Sequence, residues 1–159
     1  MSGAPPPYIH ATALVIGEAG VLIQGAPGSG KSALALACIA AAGAAGRFAA
    51  LIGDDRVRLV ARHGRLIAAG HPAIAGQIER RGLAIEPALG CPLVVLRLAV
   101  SIVSDSAEAA RLPRLPWSEA NLTKIDGVAL PFLKIDARRG RFDQAALVLA
   151  ALAAAALQS

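Results

Sequence analysis

Gly25-Ala26-Pro27-Gly28-Ser29-Gly30-Lys31-Ser32 is the stretch that decides the fold. It fits the pattern G-x-x-x-x-G-K-[ST], and its surroundings suit that pattern. An apolar run, Val21-Leu22-Ile23, leads into it, and an alanine- and leucine-rich helical run, Ala33 to Ala42, follows. A strand, a glycine loop and a helix in that order separate a phosphate cradle from a glycine-rich turn that matches by chance. The glycines let successive backbone N–H groups face inward, at the positive end of the following helix. Lys31 is placed to reach the β- and γ-phosphates, and the Ser32 hydroxyl to ligate Mg²⁺. The candidate nucleotide-binding set is Gly25, Ala26, Pro27, Gly28, Ser29, Gly30, Lys31, Ser32 and Ala33, with a nucleoside triphosphate and Mg²⁺ as the expected ligands.

Downstream, Gly43 and Gly46 mark the helix end, and Phe48 to Ile52 reads as an apolar strand closing on Gly53-Asp54-Asp55. A carboxylate at such a strand tip holds Mg²⁺ or activates a nucleophile. Arg56 to Ala61 and Arg65 to Ala69, joined through Arg62-His63-Gly64, read as a hairpin. Upstream, Ile9 to Val15 and Val21 to Gln24 form another, turning at Gly17-Glu18-Ala19-Gly20, with His10 in its first strand. Residues 1–8, with Pro5, Pro6 and Pro7, read as a flexible lead-in to a single domain over 9–159.

Further along, residues 70–86 read as loop around Leu83-Ala84-Ile85, and Pro92 to Val100 as a buried strand. Ser104 to Leu112 reads as a helix with Ser106 as its cap, and Pro113, Pro116 and Trp117 punctuate the loop after it. Val128 to Ile135 is a strand whose Pro131 places it at an edge or a start. Gln144 to Leu157 is the closing helix. Thr123-Lys124-Ile125-Asp126 imitates the guanine-reading [NT]KxD element, but the polar residues before it do not make the required strand.

The 159 residues are enough to bury roughly two-thirds of the unfolded surface. Hydrophobic residues reach 55% and aromatics 3%, so the core is expected from Leu, Ile, Val and Ala. The terminal run Ala145 to Leu157 is too short for a membrane span, and no signal peptide is evident. Cys38 and Cys91 lack zinc-ligand spacing and read as free thiols of a cytoplasmic protein. The charge of +5 rests on 13 arginines and 3 lysines. Without stacking aromatics beside them, these suit phosphate groups or an acidic protein partner and not nucleic acid.

Taken in order, these pieces resemble HPr kinase/phosphorylase in a short form consisting of the catalytic domain. Four matches carry the resemblance: His10 at its spacing before Lys31, Gly20-Val21-Leu22-Ile23-Gln24-Gly25, the pair Asp54-Asp55, and Ile78-Glu79-Arg80-Arg81-Gly82-Leu83-Ala84-Ile85. The last looks like the family signature E-[apolar]-R-G-L-G-I, departing from it at Arg80 and Ala84. The resemblance implies a P-loop α/β domain with a mixed sheet, related to phosphoenolpyruvate carboxykinase. It implies ATP-dependent phosphorylation of a serine on HPr, a phosphocarrier of phosphotransferase systems, which some members reverse by phosphorolysis. Asp55, or Asp54 in its place, would take the serine proton, with His10 beside the pair adjusting its charge state. Lys31 would stabilise the moving phosphoryl group, Ser32 and Glu79 would hold Mg²⁺, and Arg111 matches the family's later catalytic arginine. The Pro-x-x-Pro-Gly-Arg segment associated with phosphorolysis is not matched by Leu130 to Asp136. Phosphorolysis, the regulating signal, the branch served and any homo-oligomer stay open.

Two other readings compete. A small-molecule P-loop kinase needs an arginine-bearing lid and an acceptor pocket, where the chain after Asp55 reads as a hairpin. A nucleotide-binding sensor without catalysis would tolerate loss of a general base.

Overall fold

The computed structural model describes residues 6–70, 93–112 and 121–157. The described strands are β1 (Thr12–Ile16), β2 (Ala19–Gly25), β3 (Ala49–Gly53), β4 (Val57–Arg62), β5 (Arg65–Gly70), β6 (Leu93–Val103), β7 (Leu122–Ile125) and β8 (Val128–Asp136). The described helices are α1 (Lys31–Ala44), α2 (Ser106–Ala110) and α3 (Arg141–Ala156). Both expected hairpins form, β1 with β2 and β4 with β5. The sheet runs β3-β1-β2-β6-β5-β4, with β8 on β6 and β7 on β8. It is mixed, as expected: β6 lies parallel to β2 and to β8, and the other pairings are antiparallel.

Strand β6 is the fork of the sheet. Leu93 to Val95 pair with β5, whereas Ala99 to Val103 pair with β8. The β4–β5 hairpin curls back until Gly70 meets the end of β3. Glycines make that approach possible, because a Cβ on Gly53 would lie 3.1 Å from Gly70 Cα and a Cβ on Gly70 would collide with the Ile52 carbonyl oxygen.

The curl gives the sheet two apolar faces. On one, Leu34, Cys38 and Ala42 of α1 and Val148, Ala151 and Leu152 of α3 pack on Ile23, Leu98, Val100 and Leu133. Alanines on both helices let the backbones approach closely, which replaces the missing aromatic bulk. The other face is enclosed by the curl itself, around Val15, Leu22, Ile52, Leu59, Leu66 and Leu96. Burial pushes the Cys38 thiol up to about 12, so it stays protonated and unreactive.

Two local expectations are corrected and one is met. Ser106 is the first helical residue of α2, and Asp105 is the cap, its carboxylate accepting from the N–H groups of Ala107 (2.8 Å) and Glu108 (3.1 Å). Strand β8 pairs with β7 up to Pro131 and with β6 from Phe132, so Pro131 stands where the ladder to β6 starts, as expected. Its missing N–H is harmless because the ladder to β6 begins one residue later, at Phe132. Strand β7 arises where loop was read, turning at Asp126 and Gly127, both at positive φ. The imitation guanine motif Thr123–Asp126 therefore belongs to a hairpin. The loop reading over 71–86, Cys91, Pro113, Pro116 and Trp117 lie outside the described residues.

Candidate active site

Strand β2 delivers the chain to the glycine loop at Gly25, opposite Ile102 of the parallel strand β6. The loop tightens through the Ser29 N–H bond to the Ala26 carbonyl (3.0 Å), and Gly30 starts α1 at φ 101°. That angle suits glycine, and a Cβ there would also collide with the Arg141 guanidinium. Helix α1 has no acidic residue in its first turn and no side-chain cap, so its first N–H groups are left for a ligand. Lys31 is 8% exposed and donates from Nζ to the carbonyls of Gly25 (3.2 Å) and Ala26 (3.3 Å). Ser29 is buried, and its Oγ has no hydrogen-bond partner. An unpaired buried hydroxyl at the start of an uncapped helix fits a ligand with acceptor oxygens.

The neighbouring carboxylates divide. A register shift in the β1–β3 ladder, between Ala13 and Leu14, puts an extra residue into the end of β3 and re-aims it. Asp54 then accepts hydrogen bonds on one oxygen from Ser32 Oγ (2.5 Å) and from Thr12 Oγ1 (3.1 Å), the threonine being fully buried. Asp55 adopts φ 63°, a left-handed turn that aspartate tolerates, and so serves a different neighbour. Its carboxylate lies 3.7 Å from His10 Nδ1, with both side chains open to solvent. His10 arrives there because Ile9 bridges to Val57, exchanging N–H to carbonyl bonds of 2.7 and 3.1 Å.

The third wall was not expected from the sequence. Strand β8 ends beside Val103, and the turn after it returns α3 to the glycine loop. Arg141, the first residue of α3, lays its guanidinium against Gly30 while Nη1 donates to Gln144 Oε1 (2.5 Å). Gln144 is fully buried, and its Nε2 donates to the Asp136 carbonyl (3.1 Å). The Asp136 carboxyl is held below its ordinary range by the Arg138 backbone N–H first; desolvation opposes this, and the Arg138 side-chain bond and the charges of Arg138 and Arg139 add to the lowering. The signal for Arg141 was present as a Gly140-Arg141 pair directly after a strand, five residues beyond the Leu130-to-Asp136 segment that was compared.

The structure therefore brings together His10, Asp54, Asp55, Lys31 and Ser32, and adds Thr12 and Arg141. Arg111 lies exposed just after α2, with no side-chain hydrogen bond or ion pair among the described residues. Glu79 and the whole of Ile78–Ile85 lie outside the described residues. No cluster of three or more His, Cys, Asp or Glu side chains that would hold a metal occurs among the described residues. Mg²⁺ takes one or two protein oxygens and completes its shell with phosphate and water. Ser32 and Asp54 supply such a pair. No described helix is long and apolar enough to cross a membrane.

Comparison with known proteins adds two findings. The family model of the HPr Serine kinase C-terminal domain matches residues 3–159. The solved structure of the Hpr(Ser) kinase/phosphatase from Coxiella burnetii superposes with a TM-score of 0.64 at 22% identity, covering 95% of this chain and 97% of that one. That likeness establishes the shared fold, a mixed α/β domain of the P-loop kinase type. No curated protein matches the chain.

Proposed function

The chain belongs to the HPr Serine kinase C-terminal domain family, and from that premise we propose that it is an ATP- and Mg²⁺-dependent protein-serine kinase acting on an HPr-like phosphocarrier. The observation that carries the reading is the division of labour between two adjacent carboxylates. Asp54 is engaged by Ser32 and Thr12 at the phosphate side, whereas Asp55 faces outward beside His10. A metal-holding group and a free base, side by side, are what phosphoryl transfer to a hydroxyl requires.

In the proposed reaction the acceptor serine Oγ attacks the γ-phosphorus, and Asp55 takes its proton. The bond from the γ-phosphorus to the bridging oxygen breaks, and the nucleoside diphosphate leaves with that oxygen. Lys31 releases its two loop carbonyls to meet the charge growing on the phosphates, together with the inward N–H groups of the loop. Ser32 and Asp54 would hold Mg²⁺, which when bound draws charge from the phosphate oxygens. His10 holds the Asp55 carboxylate towards the incoming serine. The openness of this side suits a protein acceptor, which excludes water on docking, better than a small acceptor needing an enclosed pocket.

Incubation of the purified chain with Mg-ATP and a cognate HPr should give one added phosphate on a serine, read by intact-protein and peptide mass spectrometry. No transfer from ATP, GTP or pyrophosphate would overturn the proposal and favour a nucleotide sensor.

A further inference from the structure

The end of the sheet remote from the glycine loop carries a groove of about 920 Å³ that the proposed reaction does not use. It lies where β2 begins and along the last turns of α3, so the length of α3 separates it from Gly30, about 16 Å from Arg141 to Leu152. Leu130 and Leu152 contribute to its apolar lining. Arg47, Arg65 and Arg97 line it too, with Glu18 as the single acidic residue among the lining side chains. All three arginines are exposed, and none has an ion-pair partner among the described residues.

The groove thus joins two features that a fold does not need side by side. Three guanidiniums without ion-pair partners among the described residues, from the loop after α1, from β5 and from β6, converge on one apolar trough. Guanidiniums pair with carboxylates in a bidentate way and stack along apolar stems, which favours a peptide carboxylate over a compact cation or a neutral chain. A small free anion would leave the apolar lining unused. Single-stranded nucleic acid would want aromatic platforms, and none is among the described residues that line the groove.

We propose that this groove is a docking site for an acidic protein segment that alternates carboxylate and aliphatic side chains. It would hold a partner while the opposite end of the sheet remains free, and it is independent of the kinase reading.

The probe is a fluorescein-labelled peptide of alternating Glu and Leu, followed by fluorescence anisotropy with the full chain. Two control peptides replace Leu by Ser, or Glu by Lys. Saturable binding of the Glu–Leu peptide is expected, at least tenfold weaker for each control. Arg65→Glu with Arg97→Glu should weaken it at least tenfold. Arg138→Glu with Arg139→Glu, an equal change of charge at the far end, should alter it less than twofold. Circular dichroism of both double variants checks that they fold, and Arg97→Lys should restore only part of the affinity. Equal binding of the Glu–Ser peptide, or an equal loss with both double variants, overturns the proposal in favour of non-specific charge attraction. Absence of binding overturns it outright. Competition by inorganic phosphate alone assigns the site to a free anion. Self-association of the wild-type chain that Arg65→Glu with Arg97→Glu abolishes, seen by sedimentation, assigns it to a second copy.

Discussion

The two sides of the candidate active site are built in opposite ways. On the phosphate side the charged groups are held: Lys31 is buried on two carbonyls, and Asp54 is gripped by Ser32 and a buried Thr12. On the open side His10 and Asp55 are 86% and 68% exposed, and their side chains lie 3.7 Å apart. The contrast teaches that preorganisation is spent where the ligand is small and constant. Phosphate oxygens must be met by groups already in place, because reorganising them during transfer costs rate. A protein acceptor brings its own surface and can complete the other half on docking.

The largest effect should come from the open side. Asp55→Asn should reduce serine phosphorylation by about 10²–10⁴-fold, while nucleotide affinity and melting temperature stay at wild-type values. Calorimetric titration with a non-hydrolysable nucleotide separates the two, and a parallel loss of binding would mean that Asp55 holds metal. Next, Lys31→Ala on the held side should lower transfer by about 10²–10³-fold and weaken nucleotide binding along with it. If binding stayed intact, the contrast between binding and reacting sides would collapse. Asp54→Asn should fall below both, at about 10–100-fold in apparent Mg²⁺ affinity, read from the metal dependence of nucleotide binding.

Smaller still is Thr12→Val, which keeps the shape and removes one donor from the Asp54 carboxylate. It should cost about 1–2 kcal/mol and lower the melting temperature by a few degrees, with transfer reduced only through Asp54. An unchanged melting temperature would show that the buried threonine does not anchor the held side. The mildest test lies behind α1. The Cys38 thiol titrates near 12 in the fold and near its ordinary 9.0 once unfolded. The folded state thus keeps a proton that the unfolded chain sheds. This contribution is intact below pH 9 and is lost progressively as pH rises towards 12. Losing the buried sulfur should make Cys38→Ala the less stable protein at neutral pH, with its deficit narrowing as the pH rises from about 9 towards 12 in thermal melts.

Much of the phosphate side was legible because it is local. A glycine loop between an apolar strand and a helix specifies its own backbone, and the strand tip at Asp54-Asp55 is read the same way. The roles of the two aspartates were not legible, since Thr12 stands 42 residues from Asp54 and Ser32 stands 22 away. Strand pairing and a register shift bring them together, and no short window contains either. Arg141 was missed for the same reason, because its meaning depends on α3 returning to Gly30. Strand β7 was overlooked although Asp126-Gly127 is a hairpin signal. Its four residues are half-exposed and lack a run of buried partners to announce them.

The sequence by itself determined the phosphate loop, the mixed hairpin-rich sheet, the apolar helices that cover one face, and the presence of two carboxylates at one strand end. These follow from periodicity and from residues whose backbone preferences act over a few positions. Tertiary structure alone decided which carboxylate is tied and which is open, that an arginine from the last helix closes on the loop, and that the sheet curls into a second core. Those outcomes depend on where distant strands place their neighbours, and on the hydrogen bonds that only that placement allows.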